Sequence, residues 1–253
     1  MIVNDRGSNM ELIPQHEHAR IAFEIGTVLA DDTRKHHPKW QPLLTAIREH
    51  DRAWIPLDKN PILNEETNMP YAFTNYPETE KLNAYRRGIQ ETTDIHLYSG
   101  LLSSLHYASF FTSSTTAEGK QFLAEESKRQ QQMKQELDDM SQAATHLDIL
   151  QFCDDLSLYA CMNVPGVQKE EEVSWFRNGF QYQFDFLENE FIYPQFVSDK
   201  NIMLTPFPLT ETLTVHIHGT RVSKKDVAAK PAEAFTQCGE KFVRTVSFIP
   251  PAI

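Results

Sequence analysis

Apolar side chains recur at helical spacing through the first two thirds of the chain. Residues 17–29 carry Ile21, Ala22, Ile25, Val28 and Leu29 on one face, and residues 40–51 carry Trp40, Leu43, Leu44 and Ile47. Pro38 marks the entry to the second of these helices. Further helices are expected over residues 79–88, 95–111, 117–144 and 147–162. The 117–144 stretch is rich in Glu, Gln and Lys. Its apolar stripe is only Phe122, Leu123, Met133, Leu137 and Met140, so it reads as a long, half-solvated helix. Residues 56–77 hold four prolines and no apolar period, a long loop of the kind that often carries function and a candidate lid.

Elsewhere the pattern is extended. Residues 1–15 read as a hairpin: Met1 to Val3, a polar turn, then Glu11, Leu12 and Ile13. Beyond Pro165 the texture changes to period two. Phe180, Tyr182, Phe184 and Phe186 alternate with polar residues, and residues 213–218 and 242–248 are rich in β-branched and aromatic side chains. These segments predict a mainly α protein, with a small β element formed by the N-terminal hairpin and the C-terminal strands. The expected organisation is a single domain over 1–253: hairpin 1–15, helical core 16–165 and mixed portion 166–253.

Composition narrows the function. The chain has 253 residues, 40% of them hydrophobic, with 16 Phe, 8 Tyr and 3 Trp, enough to fill a sizeable core. The net charge of −11 argues against nucleic acid and anionic membrane surfaces as partners. No apolar run reaches the roughly 18 residues of a membrane span. The first fifteen residues lack a basic region followed by an apolar run, and the three widely spaced cysteines suit reduced thiols. A cytoplasmic location is expected.

The informative feature is which ionisable residues fall on inward faces. His18 begins the apolar face of the first helix, while His16 points elsewhere. The stripe of the second helix ends at His50 and Asp51. Tyr98, Leu101, Leu102 and Leu105 lead onto His106, and Leu147, Leu150, Leu158 and Cys161 surround Asp154. A lone inward histidine is usually a satisfied core residue, a terminal His-Asp pair can be a helix stop, and Asp154 beside Asp155 can be half of a solvated acidic pair. Four helices that each aim such a group inward are explained at once by a shared metal ion, because buried charge is costly unless paired or ligating. His and Asp suit a divalent transition metal such as iron, manganese, zinc, nickel or cobalt.

The motif His18 in HARIA, adjacent His50-Asp51 closing a helix, and Asp154 about 100 residues later resembles the HD superfamily of helical metal-dependent phosphohydrolases, which includes a few iron oxygenases. The resemblance implies an HD-like helical core and assigns His18, His50, Asp51 and Asp154 as metal ligands. It favours Asp154 over Asp155, because the family's late Asp is followed after one residue by an apolar one, here Leu156. Two-metal members carry extra histidines between the pair and the last Asp. This chain offers His106, whereas His96 lies on a more polar face. More narrowly, MIV at the start, QHEHARIA, HDRAW with Asp58 and Pro61, LLSSLH, DDLSL with Cys161, and TPFPL resemble the bacterial family called domain of unknown function 3891, across nearly the whole chain.

The resulting expectation is hydrolysis of a small phosphorylated metabolite or nucleotide, with Asp51 and His106 as catalytic residues. An HD-type iron oxygenase and a non-catalytic metal- or ligand-binding protein are the alternatives. Arg52 either meets a phosphate or is solvated, as do Arg86 and Arg87, and Trp54 either stacks on substrate or fills core. His216 and His218 share one face of a strand, as surface polarity or as a second chelating pair.

Overall fold

The computed structural model describes residues 1–29, 32–229, 235 and 238–251. Strands β1 (Ile2–Arg6) and β2 (Asn9–Ile13) form the expected hairpin, turned at Gly7 with φ of +71°. Helices α1 (Gln15–Leu29), α2 (Asp32–Lys35), α3 (Trp40–Glu49) and α4 (Ile55–Lys59) follow. A two-stranded ribbon of β3 (Leu63–Asn64) and β4 (Met69–Pro70) precedes helices α5 (Glu78–Ile95), α6 (Leu97–Ser109), α7 (Ala117–Glu136) and α8 (Ala143–Met162). The remaining elements are β5 (Tyr193–Phe196), β6 (Asn201–Thr205), β7 (Leu213–Ser223), α9 (Lys224–Ala229) and β8 (Glu240–Ile249).

Six strands join in one curled mixed sheet in the order β1-β2-β7-β8-β6-β5, with the β6–β8 pairing parallel and the others antiparallel. The sheet forms a half-barrel, and the chain is about 50% helix and 18% strand, so the fold is α/β rather than mainly α. The expectation of a small β appendage underestimated the sheet for a physical reason. The N-terminal hairpin pairs through β2 with the long strand β7, in register Met10↔Val222, and so extends a sheet whose other members come from the last quarter of the chain. Two strands were missed. β5 is four residues long and contains Pro194, and β6 is bounded by polar residues. Conversely, residues 180–186 are not a strand. Phe180 and Phe184 are buried against Phe152 while Tyr182 is exposed, but the segment pairs with no strand and ends in a short 3-10 turn, Asp185–Leu187.

The main core lies between the inner face of the sheet and the helices. Val215, Ile217, Val246, Phe248, Ile202 and Leu204 meet Ile21, Ile25, Leu150, Phe152, Leu156 and Tyr159. α1 packs against α3, α8 and β7, and α6 packs against α3 and α8. A second cluster gathers Trp54, Tyr76, Tyr85, Tyr107, Phe111 and Phe122 beneath α5 and α7. The proline-rich segment 56–77 has more structure than its sequence suggested. It holds α4 and the β3–β4 ribbon, whose turn places Asn68 at φ of +53°, and it is anchored by Tyr76 edge-on to Trp54. Among the described residues, no helix is long and apolar enough to cross a membrane.

Candidate metal centre

Four helices converge on one buried point. His18 lies in the first turn of α1, His50 and Asp51 close α3, His106 lies in the last turn of α6, and Asp154 sits mid-way along α8. All five side chains are buried, with residue exposures between 0% and 8%. Each helix buries its apolar stripe, and the ionisable residue shares that stripe's phase, so packing the helices drives these groups together. The approach of α5 is part of the construction. Gly88 faces Ala53, where an added Cβ would meet the Ala53 Cβ at 2.7 Å, so glycine lets α5 press on the 3-10 turn Arg52–Trp54 that follows Asp51.

Two overlapping triads could hold a metal ion: His18, His50 and Asp51, and His50, His106 and Asp154. His18 Nε2 lies 2.6 Å from Asp51 Oδ2, and His18 Nδ1 lies 3.0 Å from Ser157 Oγ. Asp154 is ringed by imidazoles: His50 Nε2 at 3.4 Å and His18 Nδ1 at 3.7 Å from Oδ1, and His106 Nε2 at 3.5 Å from Oδ2. Gln15 Nε2 donates to Asp51 Oδ2 at 3.0 Å, and the Gln15 backbone N–H donates to Asp58 Oδ2 at 2.6 Å. The nitrogen His50 Nε2 is buried and makes no well-formed hydrogen bond, although its other nitrogen is only 2.7 Å from the Ile47 carbonyl oxygen. That arrangement fixes the ring and aims Nε2 at the carboxylates, as metal-ligating histidines are commonly held. Nε2 has Asp154 Oδ1 at 3.4 Å and Asp51 Oδ2 at 3.8 Å, ion-pair contacts longer than a well-formed hydrogen bond.

The electrostatics are divided. Burial pushes the Asp51 and Asp154 carboxyls up, but the surrounding histidines outweigh it and hold both below the usual carboxylate range. Burial would lower His50, yet Asp51 and Asp154 raise it to about 9. Burial dominates at His106, which falls to about 4 despite Asp154 and is a neutral ring at pH 7. The metal-free cluster therefore holds two carboxylates against an imidazolium at His50, and a divalent ion fits the negative charge left when that proton departs.

The cluster opens onto a cavity of about 450 Å³. Asp51, His106 and Asp154 form its floor, with Trp54, Phe73, Tyr85, Phe111 and Trp175 among its walls and Lys81 the one lysine or arginine among the described residues that line it. Lys81 makes no ion pair among the described residues, and burial lowers its pKa. Segment 56–77 supplies Phe73 and Thr74 as one wall. A neighbouring lobe of about 280 Å³ adds Ser109, Thr112, Ser113, Gln151 and Tyr182. Asp155 lines both spaces, and its carboxyl is pushed well above the usual range by burial and by Asp154. Sequence reasoning held Asp155 only as a substitute for Asp154; in the structure Asp154 lies among the histidines and Asp155 on the cavity wall. Phe73, Lys81, Trp175 and Tyr182 were missed as cavity residues. Phe73 and Trp175 come from segments without an apolar period, Tyr182 lies in the period-two run that forms no strand, and Lys81 is a single cation in a polar helix.

The other candidates lie elsewhere. Arg52 pairs with Glu49 and Glu91, Arg86 with Glu125, and Arg87 with Glu91 and the Ala53 carbonyl, so none of the three faces the cavity. Trp54 is both core and cavity wall. His96 caps α6 by accepting from the Tyr98 N–H. His216 and His218 lie on the outer sheet face, beside Thr245 and Glu17 respectively, and do not form a second chelating pair with a third ligand among the described residues. His16 stays outside the cluster, as its phase predicts.

Comparison with known proteins gives one result. Neither curated proteins nor solved structures yield a match. A family model matches residues 1–224, which takes in the whole span over which the sequence motifs lie. The chain belongs to the family described as "Protein of unknown function (DUF3891)".

Proposed function

We propose that this protein is a divalent-metal-dependent phosphohydrolase of the HD type that acts on a small phosphorylated substrate. The likeness to HD enzymes is one of ligand order and chemistry, carried on an α/β fold. The observation that carries the reading is the convergence of His18, His50, Asp51, His106 and Asp154, with His50 Nε2 buried between two carboxylates and without a well-formed hydrogen bond, at the floor of a substrate-sized cavity.

His18, His50, Asp51 and Asp154 would hold the ion. The chemistry an ion would supply there is polarisation of a phosphoryl oxygen and a lowered pKa for water. The residues of the chain do the rest. Gln15 holds the Asp51 carboxylate in place. His106, neutral and buried, is a base at the cavity floor that can take a proton from an attacking water. Asp155, whose carboxyl is pushed above the usual range by burial and by Asp154, lines the cavity wall and is our candidate to give a proton to the leaving oxygen. Lys81 supplies the cationic contact for the phosphate, and the aromatic walls exclude water and take an apolar or planar leaving group.

The test is a panel of phosphate mono- and diesters assayed with manganese, nickel, cobalt and iron, beside Asp51→Ala. Metal-dependent hydrolysis that vanishes in Asp51→Ala supports the reading. Unchanged activity in the variant, or none across the panel with metal bound, refutes it. The further imidazole of His106 beside Asp154, next to the His18–His50–Asp51 triad, supports one second reading, an iron oxygenase with two ions. Two irons per chain and oxygen consumption would mark it.

A further inference from the structure

The inner face of the half-barrel changes character where α8 ends. Along β7 and β8 the inward positions run Val215, Ile217, Val246 and Phe248, all fully buried against the helices. In steps of two along the same strands the same face reaches Arg221 and Arg244, and on β2 it passes from Ile13 to Glu11. α8 stops at Met162, and Arg244 Nη2 donates to the carbonyl oxygens of Ala160 (2.9 Å) and Cys161 (3.3 Å) in its last turn. Beyond that point an open groove of about 690 Å³ runs along the end of β8, lined also by the exposed Val243 and Thr245 of its other face. Its walls include Arg6, Glu11, Lys200, Arg221, Phe242 and Arg244, and it shares no lining residue with the metal-site cleft.

Charge in this groove is opposite to that of the chain. Among the described residues that line it, Arg6, Lys200, Arg221 and Arg244 stand beside two carboxylates, Glu11 and Asp199, in a protein whose net charge is −11. Glu11 is already shared: it accepts from Arg6 Nε at 3.0 Å and Arg221 Nη2 at 2.9 Å, with Arg244 Nη1 at 3.7 Å. Two guanidinium nitrogens, Arg6 Nη2 and Arg244 Nε, are buried without a hydrogen-bond partner. Lys200, exposed in the turn before β6, makes no ion pair among the described residues. Burial lowers the pKa of Arg244, and neighbouring Arg6 lowers it further. Arg221 stacks over the Phe242 ring at 5.6 Å, which fixes its fork and leaves an apolar flank at the groove wall.

We infer that this groove is a binding site for a small dianionic oxyanion, a phosphate group free or carried on a small metabolite, held by Arg6, Arg221, Arg244 and Lys200. The surplus of two positive charges matches a phosphate dianion, and guanidinium forks meet its oxygens with charge-assisted hydrogen bonds. The site is independent of the proposed chemistry in the metal-site cleft.

The experiment uses the full chain freed of metal with a chelator. Inorganic phosphate and phenyl phosphate are titrated by calorimetry and by thermal unfolding at constant ionic strength in chloride. The expected result is saturable binding at one site that raises the melting temperature. Phenyl phosphate binding more tightly than phosphate assigns the site to an organic phosphate, and equal affinity to the free ion. Lys200→Gln, on an exposed turn, weakens binding about threefold, and Arg221→Gln about tenfold or more. Asp154→Asn in the other cleft leaves binding unchanged. Absence of saturable binding to the wild-type chain overturns the inference. So does wild-type affinity in Lys200→Gln and Arg221→Gln, or loss of binding in Asp154→Asn.

Discussion

Asp154→Asn keeps the shape of the side chain and removes the charge that three imidazoles surround. His50 is raised from 6.5 to about 9, which corresponds to about 3 kcal/mol favouring its protonated ring. Asp51 and Asp154 are its two carboxylate partners, so losing one removes about 1.5 kcal/mol, a roughly tenfold rise in the acidity of the His50 ring. The sign follows from linkage. A raised histidine contributes stability that is complete below its unfolded pKa of 6.5 and is lost as pH rises through about 9, so the variant loses it at lower pH. Metal binding is affected more strongly. Outer-sphere partners of metal ligands are worth about 10–100-fold in affinity, and Asp154 is placed to donate directly, so the loss exceeds about 100-fold. A metal at 100 times its Kd stabilises by about 2.7 kcal/mol, or about 5–10 °C for a chain of this size. The assays are an NMR titration of His50 in metal-free protein and thermal unfolding with and without manganese or zinc. Wild-type protein gains the metal-dependent rise and Asp154→Asn does not. A variant that keeps both the wild-type rise and the wild-type His50 titration would refute the reasoning.

Three further outcomes are expected. Because His50 is protonated at pH 7 in the metal-free cluster and must be neutral to ligate, metal uptake releases a proton, and affinity climbs with pH until about 9; calorimetry in buffers of different ionisation enthalpy measures it, and a heat independent of buffer contradicts it. Lys81→Gln removes the lysine charge of the cavity and raises KM for a phosphorylated substrate about fivefold, roughly 1 kcal/mol, with kcat little changed; steady-state kinetics decide, and an unchanged KM removes Lys81 from substrate binding. Gly88→Ala forces a Cβ onto Ala53 and costs about 1–3 kcal/mol, seen as a fall of about 3–10 °C in melting temperature, with weaker metal binding because Ala53 follows the His50-Asp51 pair; an unperturbed melting curve would mean that α5 yields without cost.

The centre was more legible in the sequence than the fold was. The phase of an ionisable residue within an apolar helical stripe is a local property, and His18, His50, His106 and Asp154 each kept that phase when the helices packed. The sheet depends on pairings that no local pattern records. β2 meets β7 across more than two hundred residues, and β6 runs parallel to β8. The alternation of Phe180, Tyr182 and Phe184 did report which side chains are buried, but burial with period two does not supply a partner strand. Cavity walls were the least legible. Phe73, Trp175 and Tyr182 lie in irregular segments, and the separation of Asp154 from Asp155, one on the ligand cluster and one on the cavity wall, needs the register of α8 against its neighbours.

The central claim is that the cluster holds a metal ion. Elemental analysis of the full chain, purified without chelator and again after loading with manganese, iron, zinc, nickel or cobalt, tests it most directly when run beside His50→Ala and Asp154→Asn. The account predicts at least one equivalent of a divalent transition metal per wild-type chain and a loss of that metal in both variants. No metal in the wild-type chain under any loading condition, or equal metal in the folded variants, would contradict it.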